Sequence, residues 1–218
     1  VPVDAYRGAG RPEATYVTER LVEAAAIQTG IDSIELRRRN FIQPDQFPYS
    51  SPGNLTYDSG DYDATLTSAL LAIDYDNFES RKSKSLQEGK VRGLGISCYI
   101  EACGVAPSKM TLEAGGRGGY YESSTVRVNP TGSVTVFTGS HSHGQGHETV
   151  FAQIVHETLG IPFDSFDIVH GDTGRVPYGV GTVGSRSLAV GGPALMRSLD
   201  KIIAKGKKIA AHILSLIH

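Results

Sequence analysis

In the N-terminal part of the chain, apolar positions recur about every three or four residues, which is the spacing of an amphipathic helix. Residues 11–30 predict one such helix, because Pro12 suits its first turn and a glycine ends it. Residues 31–42 predict a second, shorter helix with Asp32 or Ser33 as its N-cap. The chain therefore opens on two helices in succession.

The next segment loses this periodicity. Residues 43–61 are rich in Pro, Ser, Gly and Asp, which predicts a long surface loop. Residues 62–88 regain helical spacing and predict a helical pair that closes in a polar stretch.

From residue 91 onward the pattern changes to short apolar runs of the kind found in strands. Residues 91–102 predict a strand, and residues 123–139 predict a hairpin around an Asn-Pro-Thr-Gly turn. A helix is predicted at residues 147–160 and a further strand at residues 165–172. This half of the chain is β-rich.

The last element, at residues 193–217, is predicted to be a helix with one apolar face. We expect this face to be a core stripe and not a membrane or partner-binding surface, because Gly206 interrupts it and aromatic anchors are absent. The stripe consists of Leu195, Leu199, Ile202, Ile203, Ile209, Ile213 and Leu214.

These elements predict the α+β class, with mixed helices and sheets in two subdomains. A helical portion is expected at residues 1–90 and a β-rich portion with a C-terminal helix at residues 91–218. The length of 218 residues fits one or two domains and is enough for a hydrophobic core.

Composition and charge argue against some classes of function. A formal charge of −2 and a pI near 6.4 give no electrostatic reason to expect binding to nucleic acid or to an anionic membrane. Cys98 and Cys103 fall on a predicted strand with a spacing that points them to opposite faces, so we expect reduced, structural thiols in a cytoplasmic protein. No apolar run approaches the roughly 18 residues of a membrane span. Both ends look cut, so a piece of a longer polypeptide is expected.

Glycine clusters at three predicted junctions, at residues 5–13, 143–148 and 179–187. A glycine loop before a helix presents unpaired N–H groups at the positive end of the dipole and suits an anionic group. No cluster matches a P-loop or the dinucleotide fingerprint. Taken together, they predict one elongated, phosphate-bearing ligand held from several sides.

A zinc hydrolase is an alternative from a different class of enzyme. His141 and His143 would share one face of a strand, with His147 close behind, which resembles the His-x-His-x-Asp-His pattern of binuclear zinc enzymes. That pattern requires Asp and His where Gln145 and Gly146 stand. A simpler interpretation, in which the histidines are polar loop residues, also stays open.

Segments from all parts of the chain resemble one family. In chain order they are "AYRGAGRPEA", "VRGLGISCYIEACGVAP", "GSHSHGQGHETVFAQIVHETLGIP", and "VHGDT" with "GVGTVGSRS". They are similar to the molybdenum-binding large subunit of the xanthine dehydrogenase and aldehyde oxidase family, in its carbon monoxide dehydrogenase-like branch. The resemblance implies a fragment that binds molybdopterin as the cytosine dinucleotide. It also implies oxidation of an aldehyde or heterocycle with oxygen derived from water.

The resemblance assigns roles to particular residues. Arg7 is implied to be catalytic, positioning the substrate or the oxygen ligands of the metal, and the molybdenum is held by the pterin and not by the protein. The implied cofactor-binding residues are Arg7, Gly8, Ala9, Gly144, Gln145, Gly146, His147, Gly184, Ser185, Arg186 and Ser187. The implied partners are an iron–sulfur subunit with a 2Fe–2S cluster and an FAD subunit, assembled as a dimer of heterotrimers without a membrane span.

The departures from the family are informative. Carbon monoxide dehydrogenases carry a copper-binding cysteine where Gly8 stands, and xanthine-type enzymes carry a phenylalanine where Ala9 stands. The family's Gly-Phe-Gly loop and its catalytic glutamate have no match here, and neither Glu101 nor Glu148 is assigned that role. The chain alone is therefore expected to be inactive, and an inactive remnant is the third hypothesis.

Overall fold

The computed structural model describes residues 6–53, 55–104, 108–113 and 115–215. It divides into two compact units, the first ending at Ile100 and the second beginning at Glu101, and each is described by itself. The predicted division at residue 90 falls inside the first unit. Ala5 of the first glycine cluster and the end of the predicted last helix, residues 216–217, lie outside the described residues. The mixture of helices and sheets confirms the α+β class.

Two helices open the first unit, as predicted. α1 spans Arg11–Thr29 with a proline in its first turn, and its C-cap Gly30 has a φ of 70° and donates its N–H to Ala26. α2 spans Ser33–Asn40, and the Asp32 carboxylate caps it by accepting two backbone N–H groups.

A buried arginine joins α1 to α2. Arg37 of α2 is 4% exposed, and its guanidinium lies 2.5 Å from a carboxylate oxygen of Glu19 and 2.9 Å from one of Glu23. The other Glu19 oxygen accepts the backbone N–H of Cys98. Because both carboxylates lie on α1, the charge of Arg37 is balanced within the helix pair.

The predicted loop at residues 43–61 contains some regular structure. It holds a 3₁₀ turn at Pro44–Gln46 and a short antiparallel pair, β1 at Tyr49–Ser50 and β2 at Thr56–Tyr57. The predicted helical pair follows as α3 and α4, with a 3₁₀ turn between them. α3 spans Tyr62–Ala72 and α4 spans Phe78–Gln87.

The strand predicted at residues 91–102 is wrong, since residues 91–104 form no helix or strand. Two glycines interrupt the run, and its apolar side chains are not covered: Val91 is 94% exposed and Tyr99 is 76% exposed. The cysteines therefore do not lie on a strand. Both are free thiols, as predicted; Cys98 is half-buried and Cys103 exposed. Burial raises the pKa of the Cys98 thiol.

The second unit is built on a three-stranded sheet. After the short helix α5 at Ser108–Glu113, the predicted hairpin forms β3 at Ser124–Val128 and β4 at Val134–Thr138, paired antiparallel. β5 at Phe166–Val169 pairs with β4 in the parallel sense. The sheet order is β3-β4-β5, with β4 in the centre.

Two helices cover the sheet. α6 spans His147–Leu159 and connects β4 to β5, while α7 spans Gly192–Ile213 after a π-helical turn at Ser187–Gly191. All five residues of β4 are buried. The core joins alternate β4 residues to both helices and comprises Val134, Val136, Phe151, Val155, Leu195 and Leu199.

Only part of the predicted α7 stripe lies in this core. Leu195 and Leu199 are 1% and 0% exposed, whereas Ile213 is 71% exposed and Leu214 is 64% exposed. The C-terminal half of the stripe extends beyond the sheet, which corrects the expectation of a continuous core face. Within the described ranges, no helix is long and apolar enough to cross a membrane.

Candidate functional site

Parallel pairing brings two loops to one edge of the sheet. β4 ends at Thr138 and β5 ends at Val169, and the two strands run in the same direction. The residues that follow both strands therefore lie at the same edge, which is where open sheets with parallel strands bind ligands.

The loop after β4 enters α6 through two glycines in the left-handed region. Gly144 has a φ of 99° and Gly146 a φ of 75°, and no side chain caps the helix from the N-cap position. A Cβ atom at either glycine would meet nothing within 4 Å, so this backbone faces open space. The side-chain oxygen of Gln145, between the two, accepts the backbone N–H of His143. The loop thus presents the positive end of α6 to its surroundings.

His147 begins α6 and holds an unsatisfied polar atom. The residue is 8% exposed, its ring packs 5.7 Å from the Phe151 ring, and its Nδ1 is buried without a hydrogen-bond partner among the described residues. Burial lowers the pKa of His147, opposed by the nearby Glu148 carboxylate. Burial therefore favours the neutral form of the imidazole, which also suits the positive end of a helix.

Glu148 occupies the first turn of α6, where its negative charge suits the positive end of the helix dipole. Its own backbone N–H and then the His170 ring hold the pKa of this carboxyl below its usual range. The distance from His170 Nε2 to Glu148 Oε1 is 2.7 Å. The carboxylate is 52% exposed, so it lies at the rim of the site and not inside it.

Two histidines meet across the edge of the sheet. Nδ1 of His141, after β4, lies 3.1 Å from Nδ1 of His170, after β5. The His143 ring approaches the His141 ring edge-on, with centroids 4.5 Å apart. A Cβ atom at Gly171 would lie 2.4 Å from His141 Nδ1, so only glycine leaves room for that ring.

Thr182 ties the third glycine cluster to the loop after β4. Its Oγ1 accepts the backbone N–H of His141 at 3.1 Å and donates to the His141 carbonyl at 2.5 Å. The same oxygen lies 3.1 Å from the Ser187 hydroxyl. Because the single Thr182 proton goes to the carbonyl, Ser187 must donate to Thr182.

Arg186 forms the interior of the third cluster. Arg186 and Glu122 are both 0% exposed in their side chains and form an ion pair at 3.0 Å. The guanidinium also donates to the carbonyls of Tyr120, Tyr121 and Gly181 at 2.8–2.9 Å. Its side chain is thus fully enclosed by protein and fixes the loop from within.

Ser185 and Gly184 form hydrogen bonds with a different segment from the one that surrounds Arg186. Ser185 has a φ of 50°, uncommon for a residue with a side chain, and its hydroxyl donates to Glu101 at 2.6 Å. The Gly184 carbonyl accepts the Gly104 N–H at 3.0 Å. These bonds attach the loop to residues 101–104.

Two glycines allow the loops to touch. A Cβ atom at Gly139 would lie 2.3 Å from the Gly179 Cα, and the reverse substitution gives the same distance. The segment after β4 and the third cluster therefore run in backbone contact.

The first glycine cluster belongs to the other unit. Gly8, Ala9 and Gly10 all have positive φ, at 103°, 49° and 88°, and lead into α1. A Cβ atom at Gly8 would lie 2.6 Å from the Pro12 ring. Arg7 is exposed beside this turn.

Comparison with known proteins identifies the family of this chain. Residues 68–217 and residues 1–41 match two families, each described as a molybdopterin cofactor-binding domain. The chain belongs to the molybdopterin cofactor-binding family. The resemblance seen in the sequence is thereby confirmed.

Relatives of this molybdopterin cofactor-binding chain include large subunits of several enzymes. It is 40% identical over 216 residues to the carbon monoxide dehydrogenase large chain of Hydrogenophaga pseudoflava, covering 97% of this chain and 27% of the relative. It is 33% identical to the nicotine 6-hydroxylase large subunit of Paenarthrobacter nicotinovorans, covering 98% and 26%. The chain thus spans about a quarter of the length of the curated relatives it matches.

A solved structure has the same fold. Quinoline 2-oxidoreductase from Pseudomonas putida 86 superposes with a TM-score of 0.80 at 34% identity, over 98% of this chain and 27% of that protein.

The zinc-hydrolase hypothesis is not supported for this member of the family. Across the part of the chain that the structure describes, no three His, Cys, Asp or Glu side chains form a group that could hold a metal ion. His147 is buried against Phe151, while His141 Nδ1 is paired with His170, so the three proposed zinc ligands do not converge.

In this molybdopterin cofactor-binding chain, the predicted site residues fall into two groups. The second unit brings together residues 144–147 and 184–187, whose loops are linked through His141 and Thr182. Arg7, Gly8 and Ala9 lie in the first unit.

Sequence reasoning missed the residues that hold these loops. Within the third cluster, Thr182 bonds Ser187. From outside it, Glu122 bonds Arg186 and Glu101 bonds Ser185. His170 bonds Glu148 and His141. Of these residues, only His170 could have been placed near the site from the predicted topology. A predicted helix between two predicted strands indicates parallel pairing, and that pairing places the residue after each strand at one edge.

Proposed function

We propose that this chain contributes a molybdopterin-binding surface to the large subunit of a molybdenum hydroxylase. The observation that carries the proposal is the entry of α6. There the buried His147 Nδ1 has no hydrogen-bond partner among the described residues, beside two glycines whose backbone faces open space. A ligand with a polar ring edge and an anionic group fits such a loop, because it would satisfy that nitrogen and the unpaired N–H groups. Molybdopterin has both features.

Different residues of the chain contact different parts of the cofactor in this proposal. In this proposal the backbone of Gly144 and Gly146 and the Gln145 amide contact the pterin and diphosphate, and His147 supplies Nδ1. Gly184, Ser185 and Ser187 lie along the cofactor. The Arg186 side chain is enclosed, so its contribution is to hold the loop in shape.

The bound group would supply a two-electron oxidation of a carbon centre with oxygen from water. The chain's own part is to bind and orient. Arg7, exposed at the turn before α1, would direct its guanidinium to the substrate or to the metal's oxygen ligands. Gly8 and Ala9 would let the backbone approach closely.

The proposed substrate is an aldehyde or a heterocycle, and not carbon monoxide. Gly8 replaces the cysteine expected for copper-dependent oxidation; its φ is 103°, and a Cβ atom there would lie 2.6 Å from the Pro12 ring. Ala9 leaves space where a stacking ring would stand. Two relatives, nicotine 6-hydroxylase and quinoline 2-oxidoreductase, carry the names of nitrogen heterocycles.

The complete enzyme in this proposal has further parts. The cofactor is the cytosine dinucleotide form, and electrons leave through an iron–sulfur subunit with a 2Fe–2S cluster and an FAD subunit in a dimer of heterotrimers. Support comes from the relatives, which are named as large chains or subunits and of which this chain covers 26–27%.

Gln145→Ala tests the cofactor assignment in the natural protein that carries this chain. We expect the bound pterin and molybdenum per subunit to fall several-fold, because the amide and the His143 N–H contact that shapes the loop are both lost. Metal analysis and pterin fluorescence after release measure the loss.

Gln153→Ala is the matched control, since Gln153 is exposed farther along α6 and should leave both contents unchanged. Normal pterin in Gln145→Ala would contradict the assignment. A wild-type protein without any pterin would favour an inactive remnant.

A further inference from the structure

A continuous line of hydrogen bonds runs from α6 to the third glycine cluster. It consists of Glu148, His170, His141, Thr182 and Ser187, and we refer to it as the His170 network. Its side-chain contacts are Glu148 to His170 at 2.7 Å, His170 to His141 at 3.1 Å and Thr182 to Ser187 at 3.1 Å. His141 joins Thr182 through its backbone. The Thr182 bonds to the His141 backbone therefore link the two glycine loops of the second unit, and the His170 ring links His141 to Glu148 at the start of α6.

The direction of each hydrogen bond follows from the chemistry. The Glu148 carboxylate is held ionised, so His170 Nε2 must carry a proton to donate to it. The two Nδ1 atoms then share one proton between them, with one nitrogen donating and the other accepting. His141 donates when both rings are neutral, and His170 donates when His170 carries the positive charge.

The network has room for one added proton and not for two. A second imidazolium would set N–H against N–H across the 3.1 Å contact and break it. The charged and titratable groups that face this contact are Glu148 and His147 of α6 and His143 of the loop after β4.

Gly171 gives independent support for a built contact. Its φ is 67°, and any side chain there would begin 2.4 Å from His141 Nδ1. The backbone beside His170 therefore leaves space for the His141 ring and for nothing larger.

We propose that His170 is a positioning residue, which holds His141 and its loop against Glu148 at the start of α6. Because Thr182 bonds the His141 backbone, residues 181–187 are fixed to that loop in turn. The role of His170 in cofactor retention rests on the proposed function above. Its role in ordering the loops does not.

The test uses the natural protein and three replacements of His170. Asn places its side-chain oxygen near the position of Nδ1 and can accept from His141 at any pH, while losing Glu148. Gln reaches Glu148 but not His141, and Phe keeps the ring without either bond. His156→Phe is the matched control, because His156 Nδ1 bonds the Ile161 carbonyl at 2.7 Å at the far end of α6.

Hydrogen–deuterium exchange at residues 139–146 is measured at neutral pH and expressed as protection factors. This segment contains the His141 N–H, which donates to Thr182. His170→Phe and His170→Gln should lower protection there about tenfold, the effect of one lost hydrogen bond. His170→Asn should keep that protection. His156→Phe should match wild type in this segment.

Two results would overturn the proposal: protection at residues 139–146 in His170→Phe equal to that of wild type, or protection in His170→Asn as low as that in His170→Phe. Pterin content separates this inference from the previous one. If wild type holds no pterin, the proposed function fails while the exchange data still decide the role of His170. If wild type holds pterin, His170→Phe should retain less of it than His170→Asn.

Discussion

Arg186 illustrates how single residues shape this site. The resemblance assigned it to the cofactor, yet its guanidinium forms an ion pair with Glu122 and hydrogen bonds with three carbonyls inside the protein. Its sequence position, next to Ser185 and Ser187, places it in the loop that the resemblance assigned to the cofactor. The enclosure depends on Glu122, more than 60 residues earlier, and no local pattern connects the two.

Arg186→Met should destabilise the protein by about 3–5 kcal/mol, because it leaves the Glu122 carboxylate buried without its partner. Denaturant unfolding measures the change. Replacing Glu122 by Gln as well should recover part of the loss, since the isolated charge is then removed. Arg175→Met is the control at an arginine that is 53% exposed, and a loss there equal to that of Arg186→Met would contradict the explanation.

His147 should make stability depend on pH. Its pKa in the folded protein is lowered by burial, so between that value and about 6.5 the unfolded chain binds more protons than the folded one. The free energy of unfolding should therefore rise with pH through this window and reach its full value above it.

His147→Phe keeps a ring against Phe151 and removes the titrating group, so it should flatten this acidic limb in unfolding measurements between pH 5 and 8. His212→Phe, at an exposed position on α7, should leave the limb as it is. An unchanged slope in His147→Phe would show that other groups set it.

At the scale of elements, periodicity succeeded where a segment could bury its apolar face. α1, α2, α6, α7 and the β3–β4 hairpin all formed where predicted, because caps and glycine stops agree with their spacing, and β4, α6 and α7 also share a core. The strand predicted at residues 91–102 had suitable residues, but it pairs with no strand in the described part of the chain. The α7 stripe had the period of a helix, yet only its N-terminal half packs into the core beside the sheet.

Leu199→Ala tests this division of α7. Leu199 is 0% exposed within the core, so its truncation should cost about 2–5 kcal/mol of unfolding free energy. Lys201→Ala truncates an exposed side chain two positions along the helix and should change it by no more than about 0.5 kcal/mol. Thermal or denaturant unfolding compares the two; equal losses would mean that the described core does not carry the helix.

At the scale of the whole molecule, the family could be recognised from ordered motifs, whereas the arrangement of the site could not. The sequence indicated three glycine clusters but not that His141 and His170 would pair, since residues 29 positions apart meet only through parallel topology. The chain spans about a quarter of the length of the curated relatives, so the ordered motifs identify the family from this stretch alone.

The contact between Gly139 and Gly179 has a consequence for engineering. Neither position tolerates a methyl group, because each would place carbon 2.3 Å from the other residue's Cα. A change of sequence in one loop is therefore restricted by the path of the other. A designer who moves this site to another scaffold would need to transplant both loops together, with their crossing point intact.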